Sequence, residues 1–290
     1  MKQRHQARRF RSALLLTRPV ILALVAMSGL TGMILAAGGL PAGGTALAGG
    51  AVLLLSAAGS AMLNSVLDYP LDCRMPRLTA RIRALENLGR TKTILVATTL
   101  IVAGLLVSVA YLNFLVTLLT VAAIFGYLVP YTLRLKRTSP FGAIPGSIPG
   151  ALPVLIGYAA IKPISSPDGL ILFLLVLLWQ PPHFWTLALR YQEDYRAAGL
   201  PVLPATLGKR YTKTFILLYA TALLPLSLSL WFFGYCSAGF AVLAFLTGAI
   251  FLTILIRALF FKSHFIQAFH ATNGYLALLL LLIVADICLM

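Results

Sequence analysis

Asn64, Asp68 and Asp72 recur every four residues, and Arg74, Arg77 and Arg81 follow at once. On a helix, positions i, i+4 and i+8 share a face, drifting about 40° per step. Two of only 7 acidic residues in the chain would then stand one turn apart. Like charges at that spacing repel by a few tenths of a kcal/mol, about 0.2–0.5. The C-terminal end of a helix also disfavours anions. A cation offsets both penalties. Two carboxylates and a side-chain amide suit Mg²⁺, which binds through one or two carboxylates plus substrate phosphates. The arginines that follow suit the phosphate oxygens. The residues taken alone also admit a plainer reading, as polar groups at the interfacial end of a span. Pro70 discourages helix at Tyr69, so the spacing leaves open whether Asp72 keeps the common face.

The elements that must position these residues are membrane spans. Hydrophobic residues make up 60% of the chain, charged residues 10%, and the mean hydropathy is +0.94. Apolar runs of about twenty residues, enough to cross about 30 Å of hydrocarbon, recur along the whole length. They fall near 20–40, 46–67, 94–111, 114–133, 142–161, 169–189, 215–233, 238–256 and 271–289. The expectation is an all-α polytopic membrane bundle of about nine transmembrane helices, with residues 1–290 as a single domain.

The net charge of +16 first points to an acidic partner, but its distribution excludes nucleic acid. Of the 23 lysines and arginines, only Lys162 falls on the face opposite all the others. By the positive-inside rule the N-terminus is cytoplasmic and the C-terminus outside, which needs an odd number of spans. The basic, acid-free segment before the first span is short for a transit peptide. That favours a bacterial plasma (inner) membrane over the mitochondrial inner membrane.

Outer connections are a few residues long, whereas two inner ones, about 68–93 and 190–214, are long and carry acids: Asp68, Asp72 and Glu86, then Glu193 and Asp194. They lie four spans apart, as two related halves would place them. The fifth span carries Pro145, Pro149 and Pro153 with Gly146 and Gly150. This reads either as a small-residue stripe for close helix packing or as a distorted helix lining a cavity, since proline frees backbone carbonyls that need partners. Cys73, Cys236 and Cys288 have neither a disulfide nor a metal spacing and are expected to be small buried residues.

Asn-x-x-x-Asp-x-x-x-Asp at the end of the second span, with Met75-x-Arg77 and Arg81 after it, resembles the first aspartate motif of the UbiA superfamily of intramembrane prenyltransferases. Three further stretches resemble the protohaem IX farnesyltransferase (haem O synthase) branch. They are Tyr131 to Pro140, Gly146 to Gly157, and Trp179-Gln-Pro-Pro-His-Phe-Trp185 with Glu193-Asp-Tyr195 and Gly199 to Pro204. The resemblance covers about residues 15–290. The chain departs from the family pattern at Leu78 and Ile82, where a threonine and a proline are usual. Glu193 and Asp194 stand in the place of the second aspartate motif without its repeated acid, and they also read as a solvated pair balancing Arg190 and Arg196.

The resemblance implies farnesyl diphosphate and haem B as substrates and Mg²⁺ bound with the diphosphate. It implies Asn64, Asp68 and Asp72 as metal and catalytic residues. Arg77, Arg81, Lys136, Arg137, Gln180, His183, Asp194 and Tyr195 become substrate-binding candidates, and a haem A synthase or terminal-oxidase assembly factor becomes a candidate protein partner. His183 reads by default as an interhelical hydrogen-bonding residue, although an ionisable residue at that depth is also a functional candidate. Gln180 could donate to a diphosphate or a propionate, or satisfy carbonyls freed by Pro181 and Pro182. Two rival functions are an aromatic-acceptor prenyltransferase making a quinone precursor, and a transporter, whose site would lie near the midplane on broken helices.

Overall fold

The computed structural model describes residues 2–289, with side chains from residue 8 onward. Its elements are α1 (Lys2–Leu16), α2 (Pro19–Ala37), α3 (Gly43–Asp72), α4 (Thr79–Leu88), α5 (Arg90–Tyr111), α6 (Phe114–Thr138), α7 (Ala143–Ala159), α8 (Pro167–Arg190), α9 (Gln192–Ala197), α10 (Leu203–Thr206), α11 (Gly208–Phe232), α12 (Ala238–Phe261) and α13 (Phe265–Leu289). Eight of these are long and apolar enough to cross a membrane: α2, α3, α5, α6, α8, α11, α12 and α13. The ninth apolar helix, α7, has 17 residues, about 25 Å at the helical rise, at the short end of spanning lengths. The chain is an integral, multi-pass, all-helical membrane protein, and these nine helices coincide with the nine expected spans.

α7 is the centre. Its residues Ala151 to Ala159 are buried without interruption. A helix buried all round has neighbours on every side, here α2, α6 and α8. The two readings of its prolines are compatible, and close packing is seen along the helix. Pro149 and Pro153 lie inside a continuous helix. A methyl group on Gly157 would overlap the Gly29 carbonyl of α2, and one on Gly32 would overlap the Val154 carbonyl of α7. The two backbones therefore touch, as small residues allow in a bundle where lipid gives helices no hydrophobic reason to associate.

Two further features bear on the site. α6 changes register over Tyr127–Leu135, where it is π-helical with Pro130 inside; such turns are frequent at functional sites. The two long loops are structured: α4 packs between α1 and the α3–α5 pair, and α9 and α10 lie against α8. At the end of the bundle opposite α4, Asp168 accepts from the Tyr158 hydroxyl at 2.7 Å and lies 3.6 Å from Lys162. Also there, the Asp286 carboxylate accepts from both the backbone N–H and the hydroxyl of Ser237, the residue before α12. Only Cys236 is buried as expected; Cys73 and Cys288 are exposed, because the first follows the last turn of α3 and the second lies at the end of α13.

Candidate active site at the inner end of α3

Asn64, Asp68 and Asp72 have relative exposures of only 2%, 1% and 2%. Pro70 does not break α3, which stays helical through Asp72, so the open question about Asp72 resolves in favour of the common face. Pro70 removes the N–H that would bond to the Val66 carbonyl, one bond near the end of a 30-residue helix.

Cations converge on this face from two elements and the junction between two others. From the end of α6, Lys136 Nζ donates to Asp68 Oδ2 at 2.5 Å, and Arg137 lies 3.8 Å from Asp68 Oδ1. Arg137 also donates to the Thr132 carbonyl at 3.1 Å and the Leu67 carbonyl at 3.0 Å, tying α6 to α3. From α4, Arg81 pairs with Asp72. From the α1–α2 junction, Arg18 donates to Asn64 Oδ1 at 2.5 Å and to the Tyr127 hydroxyl at 3.3 Å. Asn64 in turn donates to the Thr132 hydroxyl at 3.0 Å. The π-helical turn thus delivers Tyr127 and Thr132 to the Asn64 end of the site and leads into Lys136 and Arg137 at Asp68.

The two long inner loops meet through Arg77, in the turn between α3 and α4. Its guanidinium lies over the rings of Tyr191 and Tyr195, at 4.6 and 5.0 Å, and its Nε stands 3.3 Å from Asp194 Oδ2. Asp194 and Tyr195 therefore join the first aspartate region. Glu193 does not; its side chain is 79% exposed and pairs with Arg196 at 2.9 Å. The solvated-pair reading holds for Glu193, and Asp194 is paired across the loops instead. Replacing Arg77 by Ala is expected to leave the bundle folded but to release α9, because a cation–ring clamp and an ion pair are lost together. Hydrogen exchange over 192–197 should speed up at least about tenfold on the scale of local opening; unchanged protection there would show that the clamp does not hold the loops.

The electrostatics leave a surplus. Arg18, Arg77, Arg81, Lys136 and Arg137 surround only Asp68, Asp72 and Asp194. Gathering like charges out of water is costly unless an opposite charge joins them. Burial, and next the nearby Arg18 charge, push the Arg81 guanidinium below its ordinary pKa, while Asp72 pulls it back up. Buried polar atoms without a hydrogen-bond partner include Asp68 Oδ1 and the Nε–H groups of Arg18, Arg77 and Arg81; Arg77 Nε approaches Asp194 without the alignment of a hydrogen bond. An unpaired carboxylate oxygen suits a divalent cation, and unpaired guanidinium donors suit an oxyanion. Among the described residues no group of three or more His, Cys, Asp or Glu could hold a metal by itself. A metal here would draw on two carboxylates and the Asn64 amide, with phosphate oxygens completing its shell.

Beside the charged cluster lies a small cleft lined by Tyr131, Lys136, Ser139, Phe184, Tyr195 and Val202. It puts three aromatic rings next to the lysine that contacts Asp68. His183 is elsewhere. It sits between Trp179 and Phe269, with ring centroids at 4.5 and 4.7 Å, and its Nδ1 is 3.5 Å from the Thr272 hydroxyl. Gln180 uses its amide nitrogen on the Ser147 carbonyl at 3.0 Å and the Val176 carbonyl at 3.2 Å. The carbonyls that Pro181 and Pro182 would free by the i−4 rule belong to Leu177 and Leu178, so Gln180 serves helix docking in place of proline repair.

Arg18, Tyr127 and Thr132 are the site residues that sequence reasoning did not single out. Arg18 carries a backbone signal: φ 57°, ψ 68° in a non-glycine residue just before Pro19. Such a conformation costs about 1–3 kcal/mol and persists where surrounding contacts over-determine it. In sequence it looks like any basic residue flanking a span.

A family model described as the UbiA prenyltransferase family matches residues 25–284. A protoheme IX farnesyltransferase of Geotalea uraniireducens is 47% identical over 256 residues, covering 88% of this chain and 99% of that protein. One from Aquifex aeolicus is 37% identical over 278 residues, 94% of each. Among solved structures, a digeranylgeranylglyceryl phosphate synthase superposes with a TM-score of 0.79 at 18% identity, covering 97% of this chain and 99% of that one. A UbiA homolog from Archaeoglobus fulgidus bound to DMAPP and Mg²⁺ gives 0.70 at 15% identity, covering 96% and 100%. At those identities the structural likeness speaks to the fold.

Proposed function

The chain belongs to the UbiA prenyltransferase family, and on that footing we propose that it transfers the farnesyl group of farnesyl diphosphate to the 2-vinyl group of haem B, making haem O. The observation that carries this reading is the 47% identity to a protoheme IX farnesyltransferase along 99% of that protein's length. The buried cluster around α3 supports the donor half of it independently, since it has the surplus of cations and the open carboxylate oxygen that a metal–diphosphate pair would satisfy.

Asn64, Asp68 and Asp72 would hold magnesium. When bound it supplies charge neutralisation on the diphosphate, making that group easier to expel. The protein's own residues do the rest. Arg18, Arg77, Arg81, Lys136 and Arg137 bind the diphosphate oxygens and favour the charge that develops on them. Lys136 and Arg81, which neutralise Asp68 and Asp72, would be free for the phosphate oxygens with a metal on those carboxylates. The allylic C–O bond breaks with its electron pair leaving on the diphosphate. The ring faces of Tyr131, Phe184 and Tyr195 suit the resulting allylic cation. The terminal carbon of the vinyl group bonds to the farnesyl C1. Water then adds to the adjacent carbon and loses a proton, leaving the hydroxyethylfarnesyl group. Residues 1–290 act as one domain, the charged end of the bundle faces the cytoplasm of a bacterium, and a haem A synthase or an oxidase assembly factor receives the product.

The test is mass spectrometry of haems extracted from cells that lack haem O and express this chain. A species heavier than haem B by a farnesyl group and one hydroxyl group is expected. Haem B alone, with the protein inserted in the membrane, would overturn the acceptor assignment and redirect attention to aromatic quinone precursors.

A further inference from the structure

α1 is a helix with three separate sides. At about 100° per residue, Ser12 and Leu16 lie about 40° apart, and both are buried, Leu16 completely; α1 packs on α4. Phe10 and Leu14 lie about 40° apart on a second side, exposed by 73% and 51%. Arg8 and Arg11 lie about 60° apart on the third, both exposed, with Leu15 between them exposed by 38%; Arg9, also exposed, stands on the far flank of the buried side, about 100° from Arg8. α1 contains no acidic residue. A helix that is apolar on one flank and basic on the next, held at the inner end of a membrane bundle, fits the plane where acyl chains meet headgroups. Its charge is complementary to anionic headgroups, which attract juxtamembrane basic residues individually.

α1 also leads directly into the site. Two residues after Leu16 comes Arg18, in its left-handed conformation, donating to Asn64 and the Tyr127 hydroxyl. α4, against which α1 rests, carries Arg81. Anything that fixes α1 fixes the base of one site cation and supports the helix bearing another.

We propose that α1 is a binding surface for anionic phospholipid headgroups, and that their binding through Arg8, Arg9 and Arg11 holds Arg18 in the site. The coupling to activity rests on the prenyltransferase reading given above; the lipid binding does not. Excess headgroup charge pulls on the arginines, Phe10 and Leu14 seat in the acyl region, and the strained Arg18 backbone stays loaded against Asn64.

The experiment uses the full-length protein and the triple variant Arg8→Gln/Arg9→Gln/Arg11→Gln, each in nanodiscs of pure phosphatidylcholine and of phosphatidylcholine with phosphatidylglycerol. Phosphatidylglycerol retained through detergent extraction is counted by native mass spectrometry. Wild type is expected to retain it at least about tenfold more than the variant, since each basic residue near such a surface contributes a multiplicative gain. Farnesyl transfer by wild type should rise several-fold with phosphatidylglycerol, while the variant should show the same rate in both lipids, equal to wild type in phosphatidylcholine. Equal retention by both proteins overturns the binding surface. Lost retention with an unchanged lipid response overturns the coupling to Arg18. No product from either protein in any lipid counts against the enzymatic reading, and retention alone then decides whether α1 binds the lipid.

Discussion

Asp68→Asn should reduce farnesyl transfer by about 10²–10³-fold, the scale on which removal of one charge-stabilising group acts in a preorganised site. The side chain keeps its size, so the bundle should stay inserted. Two things are lost. The oxygen that lacks a hydrogen-bond partner, Asp68 Oδ1, no longer carries the charge a divalent cation needs. Lys136, whose side chain is 17% exposed and which donates to Asp68 at 2.5 Å, loses its counter-charge. The second loss also costs stability, of order 1–3 kcal/mol for a buried group left poorly satisfied. The two effects separate in Asp68→Asn/Lys136→Met, which removes the unpaired cation. That pair should recover most of the stability and none of the activity. Recovery of activity in the double variant, or turnover within tenfold of wild type in the single one, would remove Asp68 from the chemistry and leave it as a partner for Lys136.

Gly157→Ala should give the largest loss of stability from the smallest change. The added methyl meets the Gly29 carbonyl, which is backbone and cannot rotate aside, so α2 and α7 must part. Overpacking of this kind costs about 1–3 kcal/mol, and more where neither helix can tilt. The control is Gly50→Ala in α3, where a methyl would meet nothing within 4 Å. It should be neutral or stabilising by about 0.5–1 kcal/mol, the ordinary gain from glycine to alanine in a helix. Thermal unfolding in one detergent, followed by helical circular dichroism, compares both with wild type. Equal midpoints for Gly157→Ala and Gly50→Ala would mean that the α2–α7 contact is not close in the membrane.

Much of this molecule can be read before it is folded, and the reason is physical. Lipid demands long apolar helices with their backbones satisfied internally, so nine spans and their charged inner face stand out in one dimension. Asn64, Asp68 and Asp72 are legible because a single helix places them, and helical periodicity is local. The residues that were missed come from elsewhere in the chain. Arg18 reaches Asn64 across 46 positions, and Thr132 across 68. No local pattern says which flanking arginine folds inward. The pairing of Asp194 with Arg77 was hidden for the same reason, since both loops look like ordinary charged connections and the packing of Met75 with Ala188, Tyr195 and Ala198 brings them together. The docking role of Gln180 was hidden because proline chemistry directs attention to the same helix, whereas the amide bridges to α7. The register change in α6 had no signal beyond Pro130.

A π-helical turn such as Tyr127–Leu135 also governs how this chain tolerates change in its length. It accommodates one residue more than α-helical bonding would; in effect it is an insertion absorbed inside a helix. Everything after Leu135 is therefore phased by it. Deleting a single residue between 127 and 135 would let the helix revert to ordinary bonding with Lys136 and Arg137 still facing Asp68, whereas the same deletion in the α-helical stretch Phe114–Gly126, which has no extra residue to give up, would turn them about 100° around the axis. A change in length is thus absorbed at this one place with the downstream cations kept on Asp68, and its cost falls on Tyr127 and Thr132, which the turn itself brings to the Asn64 end of the site.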